Sequence, residues 1–334
     1  MHSLLKSLFC FAAIFSHLWL SVVGPQRLIE PQPGKPVVIP TRYNAHRFIA
    51  TPVTANNVQL SLFTDSAGGL FLYADTAERL KLSIVTLSQK EHEGLRIVGL
   101  PNFKSGAMIP PPLGSLFELR LFVFPRRAAN DHGEIDRGDG MLGQQWFAGR
   151  VWTFDYPKQV LLWRAASDLP PHDKSHEVKL GFKTNGVGKR AANFARIPID
   201  IDGETIDFVL DTGATNILSE EVLKQINDGG PAERATSFLA RTVFEKWHKK
   251  HPEWRTLENI KTLTGNDMIE VPSITIAGFK VGPVWFTVQP DAAFHSYMAQ
   301  WMDKPTEGSI GGSALHYLRM TVDWPNAIAV FEQP

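Results

Sequence analysis

The chain repeats itself. Val58 to Tyr73 (VQLSLFTDSAGGLFLY) follows an Asn56-Asn57 turn, and Glu204 to Leu218 (ETIDFVLDTGATNIL) follows an Asp202-Gly203 turn. Each run reads as a strand, an acidic loop and a second apolar strand, and its aspartate comes nine residues after the turn, from 56 to 65 and from 202 to 211. The ends of the halves match as well. Gly140-Met-Leu-Gly143 leads to Asp155-Tyr156-Pro157 and Gly308-Ser-Ile-Gly311 leads to Asp323-Trp324-Pro325, with 15 residues from first glycine to aspartate in both. Equal spacings imply one strand register used twice, which constrains the fold to two equivalent units.

Short alternating segments with Gly and Pro turns fill both halves: Leu82–Leu87, Leu95–Leu100, Leu116–Phe124, Met268–Ile276 and Phe279–Val288. The fold expected is therefore all-β, with an N-terminal lobe over 35–164, a Pro- and charge-rich connection over 165–190 and a C-terminal lobe over 191–334. Asp155 and Asp323 read as turn-capping residues. One asymmetry stands out, the aspartate-to-glycine distance of 140 − 65 = 75 residues against 308 − 211 = 97. Pro231 to Trp254 carries Phe238, Leu239, Val243, Phe244 and Trp247 at helical spacing, so it is expected to be the inserted element, a helix with a packing face. His248 and His251 lie three apart on that helix, too little for a metal site in a segment without thiolates. Gly186-Val-Gly188 lacks the strand and helix that a phosphate loop needs.

With 34 basic and 34 acidic residues among 334, total charge draws the chain neither to nucleic acid nor to anionic lipid. Residues 1–24 hold Lys6 and then an apolar run, which reads as an export signal or an N-terminal anchor. The single cysteine, Cys10, lies inside that segment, so the mature chain is expected to have no disulfide and to suit a periplasmic or secreted setting. No cofactor and no metal are expected, and the chain is read as a monomer.

Asp211-Thr212-Gly213-Ala214-Thr215, preceded by Phe208-Val-Leu and followed by Asn216-Ile-Leu, resembles the active-site loop of the pepsin-like and retroviral-type aspartic proteases. Ile310-Gly311 resembles the hydrophobic-glycine element of the same family, and the repeat extends the resemblance from about His46 onward. The resemblance implies two β lobes related by a pseudo-twofold axis, each giving one aspartate to a cleft, with Asp65 and Asp211 as the catalytic pair. Two carboxylates held close cannot both ionise, so they share a proton, and that family is the best-known case of this chemistry. It also implies that the hydroxyls of Ser66 and Thr212 cross-link the two loops. Ala67 stands where the family has glycine, keeping the N–H that serves the carboxylate but adding a methyl, while Gly213 keeps the family pattern.

A flap is implied too, and the Lys90 to Gly94 tip, with Glu91, His92 and Gly94, falls 25 residues after Asp65. Neither that tip nor Thr264 to Asp267 carries the tyrosine of pepsin-like flaps. Two further readings stay open: a catalytically impaired relative that binds peptides, favoured by Ala67, and an envelope scaffold. In the family, the residue after the loop glycine can be a hydroxyl residue that lowers a carboxyl pKa. Here it is Gly68 and Ala214, so an optimum in mildly acidic to near-neutral solution is expected.

Overall fold

The computed structural model describes residues 30–88, 93–114, 117, 119–126, 137–258 and 267–333. Among them the fold is all-β and two-lobed, with an eight-stranded sheet in the first lobe, a nine-stranded sheet in the second and a six-stranded sheet joining them. The repeat is visible strand for strand. In the first lobe, Leu62–Thr64 lies parallel to Gly140–Leu142, which pairs antiparallel with Leu70–Tyr73, itself parallel to Leu121–Phe124. In the second, Glu204–Leu210 lies parallel to Gly308–Ile310, which pairs antiparallel with Ser237–Ala240, itself parallel to Val284–Gln289.

The joining sheet marks the pseudo-twofold axis. Val151–Asp155 and Arg319–Asp323 run antiparallel with Thr153 opposite Thr321, and these equivalent threonines bond hydroxyl to hydroxyl at 2.7 Å. Trp146, Phe147, Trp152, Phe154 and Trp324 are completely buried around this seam, with Phe147 stacked on Trp324 at 5.4 Å. Glu177–Lys179, inside the expected connection, joins the same sheet as an edge strand against Ile328–Glu332. Asp155 and Asp323 cap their turns as expected, accepting from Lys158 N at 3.1 Å and Asn326 N at 3.0 Å.

The second lobe has a helical insertion as expected, but it is not the helix of Pro231 to Trp254. The helix Arg241–Lys250, which buries Val243, Phe244 and Trp247, follows Ser237–Ala240 just as the shorter helix Ala74–Arg79 follows Leu70–Tyr73. It is a counterpart, not an addition. A strand does follow Asp211, at Thr215–Ile217, but the place beside Gly308–Ile310 is taken by Ser237–Ala240. What is added lies between: Thr215–Ile217 paired with Glu233–Ala235, enclosing the helix Glu220–Ile226. Helical periodicity located a real helix, but both of its neighbours have strand character, and periodicity cannot tell a lengthened repeat helix from an inserted one. His251, just past the end of that helix, bonds Asp202 and Glu253, and His248 approaches Glu258.

This insertion binds the lobes together. Ala235 N donates to Ala45 O at 3.0 Å, and the fully buried Arg47 of the first lobe donates to Glu233 Oε1 at 2.5 Å and Thr215 Oγ1 at 3.2 Å. A buried guanidinium is tolerable only with such partners. The Glu233 side chain is 33% exposed, which discounts the pair against a wholly buried one. Arg47→Ala is therefore expected to lower stability by about 2–3 kcal/mol in chemical denaturation. A loss under about 0.5 kcal/mol would show that the clamp contributes little.

Candidate active site

Both aspartates leave the end of a strand on the inner side of their lobes. Asp65 follows Leu62–Thr64 and Asp211 follows Glu204–Leu210; their amides donate to Leu142 O at 3.1 Å and Ile310 O at 3.0 Å. The hydrophobic-glycine elements shape the loops by close approach. A Cβ on Gly143 would lie 2.0 Å from Gly69 O, and one on Gly311 would lie 2.1 Å from Thr236 O and 2.6 Å from Ala214 Cβ. Only glycine lets these backbones pass.

Ser66 and Thr212 then tie the loops across the axis. Ser66 N donates to Thr212 Oγ1 at 3.1 Å, Thr212 N donates to Ser66 Oγ at 3.0 Å, and Ser66 Oγ donates to Leu210 O at 2.7 Å. Both residues are buried, so these bonds run in a low-dielectric setting where they hold position firmly. The carboxyl groups of Asp65 and Asp211 thereby come within hydrogen-bonding reach of each other. Asp65 Oδ1 also accepts from Ala67 N at 2.8 Å.

Gly213 makes room for this. A Cβ there would lie 2.4 Å from Asp65 Cγ and 2.5 Å from Asp65 Cβ. Each aspartate is half-buried as a residue, yet its carboxyl is packed about by protein, and Asp211 Oδ1 is withdrawn from solvent. Desolvation raises both pKa values. For Asp211 the charge of Asp65 raises it further; for Asp65 the Ala67 N–H, the bond from Asp211 and the charge of Arg137 pull the other way. Burial thus raises both carboxyls, and held this close they titrate as a pair that favours sharing one proton, an arrangement suited to simultaneous base and acid work.

Of the residues singled out in the sequence, the structure brings together Asp65, Ser66, Ala67, Asp211, Thr212 and Gly213. The flap candidates Glu91 and His92 lie outside the described residues. Their hairpin is present below the tip, with Val85–Thr86 antiparallel to Arg96–Val98. Gly94 closes its turn at φ 81° with open space around it. Sequence reading passed over Ser309 and Met141, which occupy matching places beside the two aspartate strands. The signal was there in Gly-Ser-Ile-Gly set against Gly-Met-Leu-Gly.

No protein-family profile and no curated protein matches the chain. Among solved structures the chain is similar to the aspartic proteinase from Irpex lacteus, at 12% identity and TM-score 0.48 over 89% of this chain and 96% of that one. It is similar too to conglutin gamma, a basic 7S globulin from lupine seeds, at 9% identity and TM-score 0.48 over 90% and 95%. Basic 7S globulin from soybean follows at 8% identity and TM-score 0.42 over 89% and 94%. The chemistry of the site rests on its own geometry.

Gly213→Ala is expected to cost about 1–3 kcal/mol, because the new methyl must displace Asp65. Gly69→Ala is the control: its Cβ meets nothing nearer than Phe71 Cδ1 at 3.8 Å. Thermal denaturation of the two variants, with the second within about 0.5 kcal/mol of the parent, checks the crowding at the dyad.

Proposed function

We propose that the chain is an aspartic-type endopeptidase that hydrolyses peptide bonds of extended polypeptide, with Asp65 and Asp211 as its catalytic residues. The observation that carries this is a pair of carboxyls at the ends of equivalent strands, in loops cross-linked to each other through Ser66 and Thr212. Ionised Asp65 takes a proton from a water lodged between the carboxyls, and that water attacks the peptide carbonyl carbon. Asp211 gives its proton to the carbonyl oxygen, so no charge builds on the tetrahedral intermediate. Asp65 then passes the proton it took from water to the amide nitrogen, the C–N bond breaks, and a hydroxyl of the diol returns its proton to Asp211 as the product carboxyl forms, so the dyad again holds one proton. Ser66 and Thr212 act as positioning residues, holding the carboxyls to the tolerance that such transfers demand.

A second reading, a peptide-binding relative without turnover, is favoured by one observation, the methyl of Ala67 in a loop whose partner carries glycine at Gly213. Export by way of the leader, to the periplasm or outside the cell, and action as a monomer complete the proposal. Among the described residues no helix is long and apolar enough to cross a membrane, and the leader lies outside them.

Asp65→Asn and Asp211→Asn are each expected to abolish cleavage of an unstructured protein substrate. Near-normal turnover by either variant would falsify the shared-proton dyad. Stability should move the opposite way. A carboxyl whose folded pKa is raised contributes stability below the ordinary carboxylate range and loses it as pH rises through the higher folded value. Since burial raises both aspartates, Asp211→Asn should melt at or above the parent temperature at pH 8, the difference shrinking toward pH 4. Melting curves across that range check the sign.

A further inference from the structure

We propose that Ser309 is the positioning residue of Asp211, a hydroxyl supplied from the neighbouring strand where the aspartate's own loop has none. For its effect on rate the inference rests on the peptidase reading; its effect on titration does not. Val209 pairs with Ser309 and Leu210 with Ile310, and Asp211 N donates to Ile310 O at 3.0 Å. Side chains alternate faces along a strand, so positions 209 and 211 share a face, and Ser309, level with 209, looks along it toward Asp211. Two buried atoms there lack a well-formed bond to any described residue: Asp211 Oδ1 and Ser309 Oγ. An oxygen acceptor and a hydroxyl donor, both buried and both unsatisfied on one face, are each other's natural partner. Ser309 is 4% exposed, which leaves water a poor competitor.

The other lobe supplies the contrast. Met141 holds the equivalent register opposite Phe63, and a Cβ on Gly68 would lie 2.5 Å from Met141 Sδ and 2.7 Å from Asp65 Oδ2. Asp65 therefore has a thioether beside it, with no proton to donate, while Asp211 has a hydroxyl. Ser309 bonds the ionised form of Asp211 more strongly than the neutral form and so draws down a pKa that burial and Asp65 push up. The consequence falls on the acid step: when Asp211 has given its proton to the carbonyl oxygen, the Ser309 O–H donates to the carboxylate left behind. The other groups facing Asp211 do not replace it. Asp65 raises its pKa, the Gly213 N–H lowers it but stays in place in any Ser309 variant, Tyr156 lies buried and neutral, and Arg137 acts on Asp65.

The test is a titration that needs no turnover. With 13C-carboxyl aspartate in the full chain, and the two resonances assigned through Asp65→Asn and Asp211→Asn, the Asp211 carboxyl of Ser309→Ala should titrate about one pH unit higher than in the parent. Ser309→Thr, which keeps the hydroxyl, should return it to the parent position. An Asp211 titration unchanged in Ser309→Ala, in a variant that melts like the parent, would overturn the proposal. On a peptide substrate the alkaline limb of the pH–rate profile should move up by the same unit and kcat should fall about tenfold with KM unchanged. A shifted titration in a protein that cleaves nothing keeps the Ser309–Asp211 contact and removes the peptidase reading. An unshifted titration in an active enzyme does the reverse.

Discussion

Everything at the site depends on a cross-link of three hydrogen bonds between the Ser66 and Thr212 loops. Two carboxyls repel once ionised, and nothing local to either loop would hold them together. The cross-link does, because each hydroxyl serves the backbone of the opposite lobe and both are buried. It sits on the same axis as the Thr153–Thr321 pair of the joining sheet. The two lobes are thus pinned twice along one line, and the aspartates have one place to go. The raised pKa values follow from that confinement, through lost hydration at both carboxyls and, at Asp211, through the charge of Asp65.

The symmetry of the frame is not carried into the site. Ala67 opposes Gly213, Met141 opposes Ser309, and the 215–236 insertion exists in the second lobe alone. Such differences give the two carboxyls different surroundings. Asp65 has the Ala67 N–H at 2.8 Å and a thioether; Asp211 has the Gly213 N–H, the charge of its partner and a hydroxyl on the adjacent strand. In the proposed peptidase that difference lets one pair of like residues act as base and acid at once. The insertion adds a second asymmetry, because Arg47 ties the first lobe to it and to no counterpart of it.

Much of this was legible in the chain. The nine-residue spacing to Asp65 and Asp211 carried the register, and the register carried the paired loops, since a one-residue slip would have turned the aspartates away from each other. The turn aspartates 155 and 323 were legible because their chemistry is local. The position of the insertion was not. Asn216-Ile-Leu218 looks as good a strand as Ser237–Ala240, and which one lies beside Gly308–Ile310 is decided by tertiary pairing that no local pattern encodes. Ser309 was hidden for a related reason: its meaning comes from which side chain stands across the ladder, not from its neighbours in sequence.

If Asp65 and Asp211 share one proton in a cleft that receives a peptide, a group that bridges both carboxyls should bind only while that proton is present. Calorimetric binding of an uncharged peptide with a secondary hydroxyl in place of the scissile carbonyl puts this to the test, since that hydroxyl must reach both carboxyls. Binding is expected to weaken as pH rises through loss of the shared proton, and to be lost in both Asp65→Asn and Asp211→Asn. Binding independent of pH and indifferent to both substitutions would contradict the shared-proton dyad.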